Sequence, residues 1–106
     1  MPNVRIDDPP TMNVLGLFLA AALRRGGAPF PRGALTVDAD GMQATVRFES
    51  DGATVTRAPT EGATTVRAGL PLLVRAIGAR SLLALLRVRV RGSRLFALRA
   101  LRCLYP

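Results

Sequence analysis

Histidine, lysine and tryptophan are absent from this chain of 106 residues, and cysteine occurs once. Without histidine there is no Ser–His or Cys–His pair to activate a nucleophile, and no imidazole to ligate a metal. The lone Cys103 permits no internal disulfide, which fits a reducing cytoplasm. It falls near the carboxyl end of a predicted helix, where the helix dipole disfavours a thiolate. Asp38 and Asp40 share one face of a predicted strand, but an Asp-Gly turn already accounts for Asp40. Gly26-Gly27 lacks the preceding strand and following helix of a phosphate loop, and reads as a helix stop. These absences predict no catalytic residue, no metal and no cofactor.

Aromatic residues make up only 5% of the chain. Phe48 is the only aromatic in the predicted strands and lies on their core side, while Tyr105 is terminal. Stacking platforms for single-stranded nucleic acid are therefore missing, as are known DNA- or RNA-binding signatures. No apolar run approaches the roughly 20 residues that a spanning helix needs. Arg75, Arg80, Arg87 and Arg94 interrupt every candidate in the second half. The apolar stretch 12–23 follows Asp7-Asp8-Pro9-Pro10 rather than basic residues, and Arg24-Arg25-Gly26-Gly27 replaces a small-residue cleavage site. No export signal is expected.

What is present is aliphatic and basic. Hydrophobic residues account for 49% of the chain, and mean hydropathy is +0.26. The length fits one domain. A domain this small buries only about 60–70% of its unfolded surface, so such an apolar chain lines a cavity or exposes a patch. Net charge is +8, with 15 basic residues, all arginine. All seven acids precede Gly62, and nine arginines follow it. This asymmetry favours an anionic partner: phospholipid, fatty acid, nucleic acid or an acidic protein surface.

Along the chain, residues 1–10 read as a loose lead-in to one domain over 11–106. Thr11 is a candidate cap for a helix over 12–25, apolar almost all round and therefore expected to be buried on most sides. From Ala34 the period becomes two. Leu35, Val37 and Ala39 precede Asp40-Gly41, a tight-hairpin signal; Met42, Ala44, Val46 and Phe48 then alternate with polar residues. Asp51-Gly52 reads as a second hairpin turn, with strands over 53–57 and, after a break at 59–62, over 63–68. One sheet face is apolar, and the other, rich in Thr and Arg, is expected to be wet. A helix pair is predicted over 71–77 and 82–86, then a strand over 87–91 that ends at Gly92. Ser93 caps a last helix over 94–104. At about 100° per residue, Phe96, Ala97, Ala100, Leu101 and Leu104 share one side of it. Arg94, Arg99 and Arg102 take the other, with Leu95 and Leu98 between them. That pattern predicts two apolar contacts, or one helix side on a bilayer.

The second half resembles the sterol carrier protein-2 (SCP-2) family of lipid-binding domains. The residues that carry the likeness are Gly69-Leu70-Pro71-Leu72-Leu73, Ala76-Ile77-Gly78, Leu82 to Leu86, Val88-Arg89-Val90-Arg91-Gly92, and Leu95, Leu98 and Leu101. The hairpin region with its Asp-Gly turns is similar too, so the likeness runs over residues 10–105. The resemblance implies an α+β fold: a five-stranded mixed sheet (three-stranded meander, crossover, two further strands) covered on one face by helices that enclose an apolar tunnel. Family members bind sterols, fatty acids, acyl chains or other lipids, and some assist isoprenoid quinone synthesis. Two departures stand out. The glycine usual before the last strand is replaced by Leu86-Arg87, and the end Leu104-Tyr105-Pro106 lacks the peroxisomal tripeptide of many eukaryotic relatives, as in a bacterial cytoplasmic protein.

The expected tunnel lining is Leu15, Phe18, Leu19, Val46, Phe48, Leu73, Ile77, Leu82, Leu85, Phe96, Leu101 and Leu104. Ala39, Ala44, Ala53 and Ala68 are too small to fill the space between such helices and the sheet, and a lipid chain would gain roughly 0.8 kcal/mol per buried CH₂. Arg87, Arg89 and Arg91 are expected beside Arg67 on the polar face. Together with Arg94, Arg99 and Arg102 they are the candidate contacts to an anionic membrane, which implies a cytoplasmic protein, peripheral at the membrane. Two other readings stand beside the lipid carrier. One is a small interaction module or homodimer using an apolar patch, oligomeric state being open. The other is a non-specific nucleic-acid binder, which the missing aromatics disfavour.

Overall fold

Alternating apolar residues build most of the sheet, as period-two patterning requires. The computed structural model describes residues 3–7, 13–25, 30–49, 52–57, 62–69, 71–72, 75 and 89–104. In chain order the elements are β1 (Asn3–Ile6), α1 (Val14–Arg25), β2 (Gly33–Ala39), β3 (Met42–Glu49), β4 (Gly52–Thr56), β5 (Thr64–Arg67), β6 (Arg89–Arg91) and α2 (Arg94–Arg102). The strands form one mixed sheet in the order β1-β4-β3-β2-β5-β6. The β2–β3, β3–β4 and β5–β6 pairs are antiparallel, whereas β1 runs parallel to β4 and β5 parallel to β2.

The expected five strands become six. Within the stretch expected to be a loose lead-in, Asn3 to Ile6 pair with Gly52 to Val55. Val4 and Ile6 thereby reach the apolar face, and Arg5 on the other side donates to Glu49 at 2.8 Å. A strand of four residues ahead of two acids and two prolines carries too little alternation to stand out from sequence.

Local chemistry fixes the other element ends. Asp40 and Gly41 both have positive φ, 51° and 84°, and join Ala39 to Met42 as a two-residue hairpin, which needs φ above zero at both positions. The second Asp-Gly behaves differently: Gly52 pairs with Glu49 and starts β4, so it is a strand residue and not the turn. There the close partner is backbone, since a Cβ on Gly52 would land on the Asn3 carbonyl. Asn13 caps α1, its Oδ1 accepting from the Gly16 amide at 2.8 Å, while its Nδ2 donates to the Gln43 carbonyl at 3.0 Å. Thr11, the expected cap, lies outside the described residues. Ser93 caps α2 as expected, its Oγ accepting from the Phe96 amide at 3.2 Å.

Both helices lie on the apolar side. α1 packs on β1, β3 and β4, and α2 on β5 and β6. Leu15, Leu19, Ala22 and Leu23 of α1 are buried, at helical spacing. Val14 and Leu17 are nevertheless 67% and 48% exposed, and with Ala21 they form one exposed apolar stripe. The expectation of burial on most sides holds apart from that stripe. Of the predicted helix pair, Pro71, Leu72 and Arg75 are helical; its other positions, like Arg87 and Val88 of the predicted last strand, lie outside the described residues.

Candidate functional site

Three rows of side chains cross the apolar face of the sheet. Val4, Ala53, Phe48 and Gly33 make one, and Ile6, Val55, Val46, Leu35 and Thr64 the next; Ala44, Val37, Val66 and Val90 make the third. Ala39, Ala44 and Ala53 are fully buried among them. Of the predicted tunnel residues, Leu15, Leu19, Val46, Phe48, Leu101 and Leu104 are buried in one cluster, and Phe18 and Phe96 are half-buried against it. Phe48 meets Phe96 edge-on at 6.2 Å and Phe30 at 5.4 Å, which ties β3 to α2 and to the segment leading into β2. Leu73, Ile77, Leu82 and Leu85 lie outside the described residues.

On α2 the buried side holds Ala97, Ala100 and Leu101, with Phe96 at its margin and Leu104 buried just past its end. Leu95 and Leu98 are 60% and 49% exposed and share the outward side with Arg99 and Arg102. Cys103 is buried after the last turn, its thiol donating to the Arg99 carbonyl at 3.2 Å. Burial pushes that thiol above its ordinary pKa, opposed in part by a backbone hydrogen bond, so it is held protonated.

The polar face is ordered in rows as well. One runs Gln43, Asp38, Arg67, Arg89; the next runs Thr56, Thr45, Thr36, Thr65, Arg91. The expectation that Arg89 and Arg91 stand beside Arg67 matches this register. The expectation of a wet face does not hold at its centre, where Thr36, Thr45 and Thr54 are buried. Gln43 and Arg47 stand two residues to either side of Thr45 on the same face, so the small hydroxyls sit below longer neighbours. Asp38 accepts from Arg67 at 3.4 Å and from Gln43 at 3.5 Å.

Two cavities border this face. One, of about 520 Å³, is lined by Asp38, Gln43, Thr65, Arg67, Arg89 and Arg91. Its neighbour, of about 560 Å³, shares Asp38, Arg67 and Arg89 and adds Asp40, Ala68, Gly69 and Leu72. Among the described residues, none of those predicted to line a tunnel borders either cavity. Sequence reasoning missed this concavity because it depends on the parallel pairing of β2 with β5, which no local pattern announces. The only available signal was the polar alternation of Thr36, Asp38, Thr65 and Arg67. Among the described residues, no cluster of three His, Cys, Asp or Glu side chains could hold a metal, and no helix is long and apolar enough to cross a membrane.

No protein-family model matches this chain, and no curated protein matches it. Among solved structures, a UbiJ-SCP2 ubiquinone synthesis protein is similar, with a TM-score of 0.58 and 20% identity, over 86% of each chain. That similarity over most of both chains gives this chain an SCP2-like fold.

Proposed function

We propose that this protein is a non-catalytic lipid carrier, holding a hydrophobic chain between the apolar sheet face and its helices. The observation that carries the reading is the SCP2-like fold, with α1 and α2 over a floor whose buried positions include Ala39, Ala44 and Ala53. Small side chains under helices make room for a chain that gains roughly 0.8 kcal/mol per buried CH₂. Such concavities, apolar with few polar groups, are the usual form of a ligand site. The lining is the twelve-residue set predicted from sequence. The similar structure is that of a ubiquinone synthesis protein, so an isoprenoid chain is the first ligand to try, with fatty acids and sterols next.

Loading and release would use α2. Leu95 and Leu98 enter the boundary of an anionic bilayer while Arg94, Arg99 and Arg102 meet its headgroups, each contributing about 1 kcal/mol at low salt. Transfer needs no covalent step, only loosening of helix against sheet. Native mass spectrometry and lipid extraction of the purified protein, with uptake of a fluorescent fatty acid or polyprenol, test the reading. Lipid adducts and saturable uptake are expected, and a protein that carries no lipid and takes up neither probe removes it. The exposed Val14 and Leu17 on α1 favour a second reading, an apolar contact with another protein or a second copy. A tight dimer by light scattering, with no lipid uptake, would favour that one.

A further inference from the structure

We propose that the polar face of the sheet, on the side away from α1 and α2, binds the phosphate group of a small ligand through Arg89, Arg91 and Thr65. Arg67 stands directly opposite Arg89, and Arg91 follows on the same face of β6. Opposed strand positions have Cα atoms about 5 Å apart, and next-but-one residues are about 6.8 Å apart. Three guanidinium groups therefore share one small area, and like charges set directly opposite are destabilising. Asp38 offsets only one of them: its side chain, 15% exposed, lies 3.4 Å from Arg67. The guanidinium groups of Arg89 and Arg91 form no ion pair with a described residue.

Shape and hydroxyl chemistry point the same way. The cavity of about 520 Å³ that these side chains line falls in the size range of small-molecule sites. Thr65, half-buried and paired with Arg91, supplies a hydroxyl donor beside the two guanidiniums. Arginine forks match phosphate oxygens two at a time, and such charged hydrogen bonds are the strong ones. In the neighbouring cavity, Asp40 joins Asp38 and repels an anion, while Leu72, Ala68 and Gly69 accept an uncharged body. The phosphate thus belongs at the β6 end, with the rest of the ligand toward the β2–β3 hairpin. No aromatic side chain from the strands lies on this face to stack a base, and the exposed Val14, Leu17, Leu95 and Leu98 belong to the helices on the other side. A small phosphorylated ligand fits better than nucleic acid or a bilayer.

The test titrates inorganic phosphate and pyrophosphate into the full chain at constant ionic strength, read by calorimetry and by NMR of the arginine side-chain N–H groups. Saturable binding that perturbs Arg89 and Arg91 is expected. Arg89→Gln and Arg91→Gln should each weaken it about tenfold or more, from the loss of one charged hydrogen-bonding group. Arg25→Gln, at the exposed end of α1, removes the same charge elsewhere and should leave it unchanged. Thermal unfolding controls for misfolding: without phosphate both variants should melt no lower than the parent, and phosphate should raise the parent's Tm alone. Three results would overturn the proposal: no saturable binding to either probe, equal weakening by Arg25→Gln, or Arg89-dependent binding of anionic vesicles or single-stranded DNA without binding of the small probes.

Discussion

Thr36 and Thr45 meet across β2 and β3 with their hydroxyls 2.8 Å apart, both buried. Each hydroxyl is the other's partner, which makes their energies interdependent. Removing one leaves a buried polar group unpaired, at a cost of about 1–3 kcal/mol, whereas replacing both by apolar groups of the same shape is nearly neutral. Thr36→Val and Thr45→Val alone should each destabilise by about 1–3 kcal/mol, and the double variant by no more than either single one. Denaturant unfolding of the four proteins measures the coupling; strictly additive losses would show that the two hydroxyls act separately. At this scale, what was legible in the sequence was what depends on near neighbours. Asp40-Gly41 needs only its own φ angles, and Ser93 only the amide three residues on. The pairing of Asp38 with Arg67, 29 residues apart, was not legible, because it exists only once β5 lies parallel to β2.

Among the elements, β1 shows most plainly how little a short strand declares. Its pairing with β4 spans 49 residues from Asn3 to Gly52, and its apolar content is Val4 and Ile6 alone. Arg24 at the end of α1 also donates to the Val4 carbonyl, at 3.3 Å, so β1 is held from both the sheet and the helix. The weak point is Gly52, where an added Cβ has nowhere to go but into the Asn3 backbone. Gly52→Ala should displace β1 and cost about 1–3 kcal/mol, the usual price of overpacking. Hydrogen exchange should then show amides of residues 3–7 opening while those of β2 and β3 stay protected; unchanged β1 protection would mean that the strand docks without that close approach. α2 is the opposite case. Its buried Ala97, Ala100, Leu101 and Leu104 and its outward arginines followed from helical spacing, because one helix on one sheet keeps the face its sequence prescribes. For α1 the burial followed too, but apolar residues all round gave no sign of which stripe, Val14, Leu17 and Ala21, would be left exposed.

For the molecule as a whole, the sequence asymmetry of charge becomes a spatial one. β5 and β6 form one edge of the sheet with α2 beside them, so Arg67, Arg89, Arg91, Arg94, Arg99 and Arg102 gather there. Glu49 and Asp7 lie toward the other edge, with β4 and β1. No such pattern marks the proposed tunnel: four of its twelve predicted residues lie outside the described ones, and the rest are buried or half-buried like ordinary core aliphatics and aromatics. Charge also sets a global property. With a net charge of +8, self-repulsion opposes the folded state, and the exposed pairs Arg5–Glu49 and Arg67–Asp38 return little. Raising sodium chloride from about 0.01 to 0.1 M shortens the Debye length from roughly 30 to 10 Å, which screens the repulsion between arginines more than it weakens pairs in contact. The folded state should gain on the order of 1 kcal/mol, a rise in Tm of roughly 4–8 °C. A melting temperature that falls with salt would mean that contact ion pairs, and not the crowding of like charge along the β5–β6–α2 edge, govern the electrostatics of this fold.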